Sequence, residues 1–418
     1  MSSSPLLGGI GRAFTSRNYK IYWWGHLNLT LGAWVYRIVV AWLTWELSKS
    51  TIWLGVMGAG TMVPVLLLSS LGGVTADRWG HRGQLMWSIT VNTAAGFGLL
   101  ILLLTDSLTI ELLFALTLAG GVGRAFSIPS RNALVPALVP REVLPSAIGV
   151  NSATYHGANF TGPALGGALV ATLGVEAAVL YFTVGGVIAV LSLPFLKLAP
   201  KLPGMERRVG LLNDLVVGFS YTIHHGGIRM MILMVGIIAL FIQPYLEMLA
   251  GVAELVHGMG RDGLAFLATA SGGGAMSGGL WFAWRGRTQG LVRVQLIGLT
   301  GALCGLMVFA LSDIFWLALV ALYVTGASMV VAAACATSLI QMAVDPALRG
   351  RVMALDSTVN YGLPALGALT IGIAGSHFGV QAPLAAAAGM GILVLLLSAP
   401  AVIRRRGELE GEPKEKDG

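Results

Sequence analysis

The sequence predicts an all-α membrane protein of twelve transmembrane helices in two pseudo-symmetric six-helix bundles. Three observations carry this. Of 418 residues, 56% are hydrophobic and only 11% charged, where a soluble domain has about 25% charged; lipid makes charges expensive and apolar side chains cheap. Long runs without Asp, Glu, Lys or Arg recur at the roughly 20 residues a helix needs to cross the hydrocarbon core. The Lys and Arg residues gather in alternate loops, as membrane topology requires.

The uncharged runs are 52–76, 83–105, 143–175, 177–196, 230–246, 263–284, 294–312, 314–344 and 357–403. The last is long enough for two helices, divided near Ser376–Val380. Segments 21–45 and 110–135 are also apolar but carry Arg37 and Arg124. The predicted spans are 21–45, 52–72, 84–105, 111–135, 146–171, 176–196, 228–253, 262–283, 291–311, 314–340, 351–374 and 380–402. The first follows Arg12, Arg17 and Lys20, as in a secretory signal, but lacks a small-residue cleavage site and reads as a retained helix.

With the N-terminus in the cytoplasm, 22 of the 26 Lys and Arg residues fall inside, Lys49 and Arg261 fall outside, and Arg37 and Arg124 lie within spans. This bias supports the even span count and places both termini in the cytoplasm of a bacterial inner membrane. Segment 1–196 is the N-terminal bundle and 228–403 the C-terminal one. Between them, 197–227 reads as a cytoplasmic linker with an amphipathic surface helix over Leu211–His225. The charged tail 404–418 reads as disordered.

Several functions are disfavoured. The net charge of +7 is spread in short clusters, with no continuous basic face for nucleic acid. Cys304 and Cys335 sit in apolar runs as small core residues, outside any metal or redox spacing. No Gly-Lys dipeptide occurs, so a Walker-type phosphate loop is absent. The spans hold no convergent catalytic set. The chain is therefore not expected to be an enzyme, nor to need a cofactor or metal.

Parallel halves leave weak internal similarity. At an offset of 205, Asn151-Ser152 corresponds to Asp356-Ser357 and Gly157 to Gly362. After a four-residue contraction, Pro163-Ala164-Leu165-Gly166 resembles Pro364-Ala365-Leu366-Gly367. The matches fall in the fifth and eleventh spans.

After the second span the chain reads Gly73-Val74-Thr75-Ala76-Asp77-Arg78-Trp79-Gly80-His81-Arg82. A carboxylate at a helix end can pair with basic groups and with the positive N-terminus of a neighbouring helix, and such a contact can latch one conformation. The fifth span carries Gly157-Ala158-Asn159-Phe160-Thr161-Gly162-Pro163-Ala164-Leu165-Gly166-Gly167. Its glycines permit close backbone approach, and its proline removes a donor and bends the helix. The first segment resembles the motif between helices 2 and 3 of the major facilitator superfamily. The second resembles the helix 5 motif of that superfamily's antiporters and exporters.

The resemblance implies a conformational latch at Gly73, Asp77, Arg78, Gly80 and Arg82, and an antiporter helix at Gly157, Gly162, Pro163, Gly166 and Gly167. Thr75 and His81 depart from the usual Leu and Arg. The equivalent second-half loop, Trp284-Arg285-Gly286-Arg287, has no Asp, so a symmetric second latch is not expected. Three more segments, Phe126–Glu142, Phe241–Glu247 and Leu348–Met353, are similar to the bacterial exporter branch that includes enterobactin and macrolide efflux proteins. An arginine common early in helix 4 of drug exporters is replaced near Thr117.

Charges within spans cost about 2.5–3.5 kcal/mol each and need a reason. Arg37 and Glu247 lie at similar depths in the first and seventh spans, mates in the superfamily fold, where an Arg–Glu contact formed in one state would let Glu247 carry a proton. The alternative is that each pairs locally or snorkels. His156 and Asp356 are further proton-coupling candidates. Arg124, Tyr155, Asn159, Gln243, Tyr245, Asn360 and Tyr361 are candidate cavity residues. Trp34, Tyr36, Trp42, Trp45 and Trp53 read as an interfacial aromatic belt. The expected function is outward transport of a drug, siderophore or metabolite by alternating access, as a proton antiporter and a monomer. The partners are a small-molecule substrate, protons and the lipid bilayer. Uptake, lipid flipping and a non-transporting sensor are the alternatives.

Overall fold

The computed structural model describes residues 13–140, 143–197, 219–287, 289–345 and 348–410. Of the candidate residues, Asp77, His156 and Asn159 have side chains outside the described ones. Regular structure among the described residues is helical. The order is α1 (Arg17–Ser48), α2 (Thr51–Trp79), α3 (His81–Leu104), α4 (Ile110–Leu134), α5 (Leu144–Leu173), α6 (Val175–Ser192), α7 (Gly226–Leu255), α8 (Gly260–Arg285), α9 (Leu291–Leu311), α10 (Phe315–Ala343), α11 (Arg349–Phe378), α12 (Gln381–Arg404) and α13 (Arg406–Glu410).

Among the described residues, twelve long helices stand at the twelve expected spans. Among the described residues, nine have the length and hydropathy to cross a membrane on those grounds alone; α5, α8 and α11, long but rich in Gly and polar residues, complete the twelve. Several run past the predicted ends, α2 most of all, from Thr51 to Trp79 against 52–72. Hydropathy marks only the lipid-crossing stretch, while backbone hydrogen bonding continues into polar flanks. Glycines at positive φ end or join helices where a side chain would be strained: Gly80 (φ 82) between α2 and α3, and Gly286 (φ 55) after α8.

The chain forms two densely packed units, Met1–Ser48 with Gly60–Glu206, and Lys49–Ala59 with Arg207–Gly418. The start of α2 therefore groups with the second unit, which the predicted boundaries do not anticipate. In the first unit α1 packs against α5 and α6, and α3 against α4 and α6. Tyr19, Tyr22, Leu85, Ile89, Leu134 and Leu193 build part of its core. Trp42 and Trp45 are buried as well. They belong to packing rather than to an aromatic belt, because the inward face of a helix is chosen by its neighbours and not by residue type. Cys335 is a core residue as expected, but Cys304 is exposed.

In the second unit α8 and α9 pack on α10, α9 on α12, and α7 on α11. Here α7 is not the uniform helix its hydropathy suggests. A π turn occupies Ile238–Ile242, and a regular helix resumes at Tyr245. Pro244 has no N–H and its ring crowds the carbonyl four residues back, so the ladder widens there. Gly367 of α11 seats against this break; a Cβ there would lie 2.5 Å from the Leu240 oxygen and 2.5 Å from Pro244 Cγ.

The chain does not lose structure at Arg404. Arg406–Glu410 forms α13, with Leu409 fully buried; the rest of the tail, 411–418, lies outside the described residues. Of the expected linker helix, residues 219–224 are helical and Leu211–Gly218 lies outside the described residues.

Candidate functional site

In the first unit, Gly80 turns the chain so that Arg82 reaches the end of the α6 segment, donating to the Leu196 carbonyl at 3.3 Å and the Pro194 carbonyl at 3.1 Å. A cation at a helix C-terminus is favoured by the backbone dipoles. Arg78 is exposed and Gly73 has open space beside it. Two residues after Arg82, buried Gln84 donates through Nε2 to the carbonyls of Gly72 (2.5 Å) and Phe126 (3.0 Å), tying α2, α3 and α4 together beneath the loop. The sequence analysis did not single out Gln84, whose one signal is an uncharged polar side chain inside an apolar run, two residues past the motif.

The α5 glycines separate into two kinds. A Cβ on Gly162 would overlap the Trp34 side chain, and one on Gly166 would lie 3.1 Å from Val35 Cα and 3.3 Å from Ile38 Cβ. Gly167 and Pro163 are buried. Gly157 has nothing within 4 Å of a built Cβ among the described residues. Polar contacts join α1 to α5 further along. Tyr19 donates to the Ala147 carbonyl (3.0 Å) and Asn151 Oδ1 (3.1 Å), and Trp23 Nε1 donates to Thr154 Oγ1 (2.9 Å).

Arg37 stacks over Trp34 of its own helix, its Cζ 5.2 Å from the ring centroid, a cation–π contact. Arg124 and Tyr155 are half-buried. A feature with no sequence signal is His26, buried in α1, stacked on Tyr22 with centroids 5.5 Å apart. Both border a cavity of about 20 Å³ that Arg131 also lines, room for one water.

In the second unit the break in α7 presents Gln243, Tyr245 and Glu247. The Tyr245 hydroxyl meets Ser271 Oγ of α8 at 2.5 Å. Gln243 Oε1 is buried without a hydrogen-bond partner among the described residues. Glu247 is 9% exposed, and a Cβ built on Gly58 of α2 would lie 3.0 Å from its Cγ. The same end of α2 is seated on α11. Thr51 Oγ1 donates to the Gly372 carbonyl at 2.8 Å, and a Cβ on Gly55 would stand 2.5 Å from the Ala368 oxygen. Asp356 of α11 is 6% exposed with Oδ1 unpartnered among the described residues, and Asn360 Nδ2 donates to its carbonyl at 3.1 Å. Tyr361 is half-buried. Glu247, Gln243 and Tyr245 thus share one broken helix, while Asp356, Asn360 and Tyr361 lie on α11. Arg37 and Glu247 belong to different units.

The second half has no Asp in its α8–α9 loop, yet a carboxylate caps that helix end. Glu410 of α13 accepts from the backbone N–H groups of Gly290 (3.1 Å) and Val292 (2.9 Å) at the start of α9, and from Arg406 Nε at 2.9 Å. Burial pushes its carboxyl up, but those three donors together hold it below the usual range. An acid four residues after an arginine was the sequence signal; its tertiary partner had none.

Twelve long helices among the described residues, gathered as two units with the Gly73–Arg82 segment and a Gly-Pro helix 5, define a transporter of the major facilitator superfamily. The chain belongs to the family described as transmembrane secretion effectors, whose model matches residues 12–416. It is 28% identical to the enterobactin exporter EntS of Escherichia coli O1:K1 / APEC over 365 residues, 84% of this chain and 82% of that one. It is 25% identical to the staphyloferrin A transporter of Staphylococcus aureus (strain NCTC 8325 / PS 47), over 49% of this chain and 57% of that transporter. The nucleoside transporter NupG shares the fold with a TM-score of 0.67 at 13% identity, over 93% of this chain and 99% of that one. Members of this superfamily transport solutes and are not enzymes.

Proposed function

We propose that this chain is a secondary active transporter that exports a small molecule of the siderophore, drug or metabolite class, with proton entry as the driving force. The observation that carries the reading is similarity to an enterobactin exporter along 84% of the chain. The glycines of α5 support it, since Gly162 and Gly166 permit the close α1–α5 approach on which the helix 5 exporter motif depends. The Lys and Arg bias orients both termini to the cytoplasm of a bacterial inner membrane, and the chain works as a monomer.

Glu247 is the coupling carboxylate. It is buried in a helix interrupted by a π turn, a bulge that recurs at functional sites. A proton entering across 100 mV supplies about 2.3 kcal/mol. The neutral carboxyl of one state then favours substrate release, and its ionised form favours reloading.

The test is transport in proteoliposomes with an imposed proton gradient, using a catecholate siderophore, a macrolide and a cationic dye as cargo. Wild type concentrates one of them against its gradient, and Glu247→Gln loses uphill transport while keeping downhill flux, since the amide mimics the protonated acid. Uphill export by Glu247→Gln moves the proton site to Asp356 or His156. Accumulation in the opposite direction makes the chain an uptake carrier.

A further inference from the structure

At the end of the second unit where the α8–α9 loop and α13 meet, six residues enclose an open cavity of about 710 Å³: Trp284, Arg285, Arg287, Gln289, Gly290 and Arg406. Arg285 shapes it. Its Nη1 donates to the Arg287 carbonyl at 2.7 Å and its Nη2 to the Gln289 carbonyl at 2.6 Å, folding the loop around its guanidinium and leaving Arg287 exposed. Arg406 reaches the cavity from α13 with its side chain 48% exposed. The nearby acid, Glu410, is 2% exposed and turned to the α9 amides and Arg406 Nε. Glu408 lies on the Gly227 side of α13. Among the described residues at the pocket, three guanidinium groups stand against one carboxylate, a net positive charge.

Trp284, which lines the cavity, ends a line of exposed apolar side chains on α8. Met276, Leu280 and Trp284 repeat every fourth residue on α8 with exposures of 42%, 64% and 84%, a strip about 12 Å long that ends at the arginines. An exposed tryptophan at a helix end is an interfacial anchor. The charge distribution asks for an anion, and the strip asks for that anion to be joined to an acyl chain.

We propose that this cavity binds the phosphate headgroup of an anionic phospholipid, with Arg287 and Arg406 on the phosphate and an acyl chain along Met276, Leu280 and Trp284. Basic pockets beside membrane helices recognise such headgroups at about 1 kcal/mol per Lys or Arg. The bound lipid would brace the loop and α13 together, on the side to which the Lys and Arg bias assigns the cytoplasm.

Native mass spectrometry of the purified full chain, titrated with phosphatidylglycerol or phosphatidylcholine, tests this. Wild type should retain phosphatidylglycerol at least about fivefold better, and Arg287→Gln should weaken that binding by about the same factor, with Arg287→Lys largely restoring it. Arg287 is on an exposed loop, so thermal stability measured without added lipid should be unchanged and a folding failure would be seen there. Trp284→Ala should weaken binding of the whole lipid. Glycerol 3-phosphate should compete poorly, because it lacks the chain. Equal retention of the two lipids, unchanged phosphatidylglycerol binding by the Arg287→Gln/Arg406→Gln double variant, or displacement by glycerol 3-phosphate at lipid-like concentrations would each overturn the lipid site; the last would leave a soluble-anion site.

Discussion

Single side chains in this protein act through what faces them. Asp77 stands at the end of α2, three residues before the positive-φ Gly80 and five before Arg82, whose guanidinium holds the Pro194 and Leu196 carbonyls. Only an ionised carboxylate serves a dipole-and-arginine latch, so Asp77→Asn should cut transport rate while leaving expression and membrane insertion normal. Rate in vesicles against yield by size-exclusion chromatography is the measurement, and normal transport by the Asn variant removes the latch. Arg82 reads differently from its motif neighbours. Its described partners are carbonyls of another helix end, so Arg82→Lys, which cannot fork across two acceptors, should loosen the α3–α6 junction even with charge retained. A fall in melting temperature with the lysine variant is expected; an unchanged one would make the two bonds energetically idle.

At the scale of helices, contact distance decides which glycines matter. In α5, Gly162 and Gly166 have no room for a side chain, whereas Gly157 has open space. Gly162→Leu or Gly166→Leu should stop cycling or folding, since added methylenes in a tight interface cost about 1–3 kcal/mol or more. Gly157→Ala should be neutral or slightly stabilising, because Ala exceeds Gly in helix propensity by about 1 kcal/mol. An active, normally expressed Gly166→Leu protein would show that α1 and α5 are not tightly packed there. The same logic applies where α2 meets α11. Thr51→Val removes the donor to the Gly372 carbonyl but preserves shape, so a loss of about 1 kcal/mol is expected as a small drop in thermal stability.

Across the molecule, the tail closes one end of the second unit. Leu409 is buried near Gly227 at the start of α7, and Glu410 caps α9, so α13 pins helices that are far apart in the chain. Replacing Glu410 with Gln removes a charge-assisted cap worth roughly 1 kcal/mol or more, which for a unit of this size lowers the melting temperature by about 2–4 °C. The pH dependence has a definite sign. Its carboxyl is held below the usual range when folded, so its contribution is complete at neutral pH and lost as acid titrates it through that lowered range. Melting of wild type should therefore converge on that of Glu410→Gln at low pH. Parallel curves at every pH would mean the carboxylate adds nothing.

What the amino-acid sequence determined by itself is whatever transfer between water and lipid decides locally. Apolar runs of membrane-crossing length set most of the helices, and motif residues such as Gly73–Arg82 and Gly162-Pro163 identified the superfamily without any contact being known. The tertiary structure alone decided the partners. The π turn in α7 appears where Pro244 meets Gly367, and no hydropathy window registers a change of helical pitch. Gln84 joins three helices through carbonyls 12 and 42 residues away. Glu410 supplies, from 118 and 120 residues downstream, the helix-capping carboxylate that the loop before α9 lacks. Spans are local free energies summed along the chain, whereas a hydrogen bond between distant residues depends on which helices lie side by side, and that exists only once they are packed.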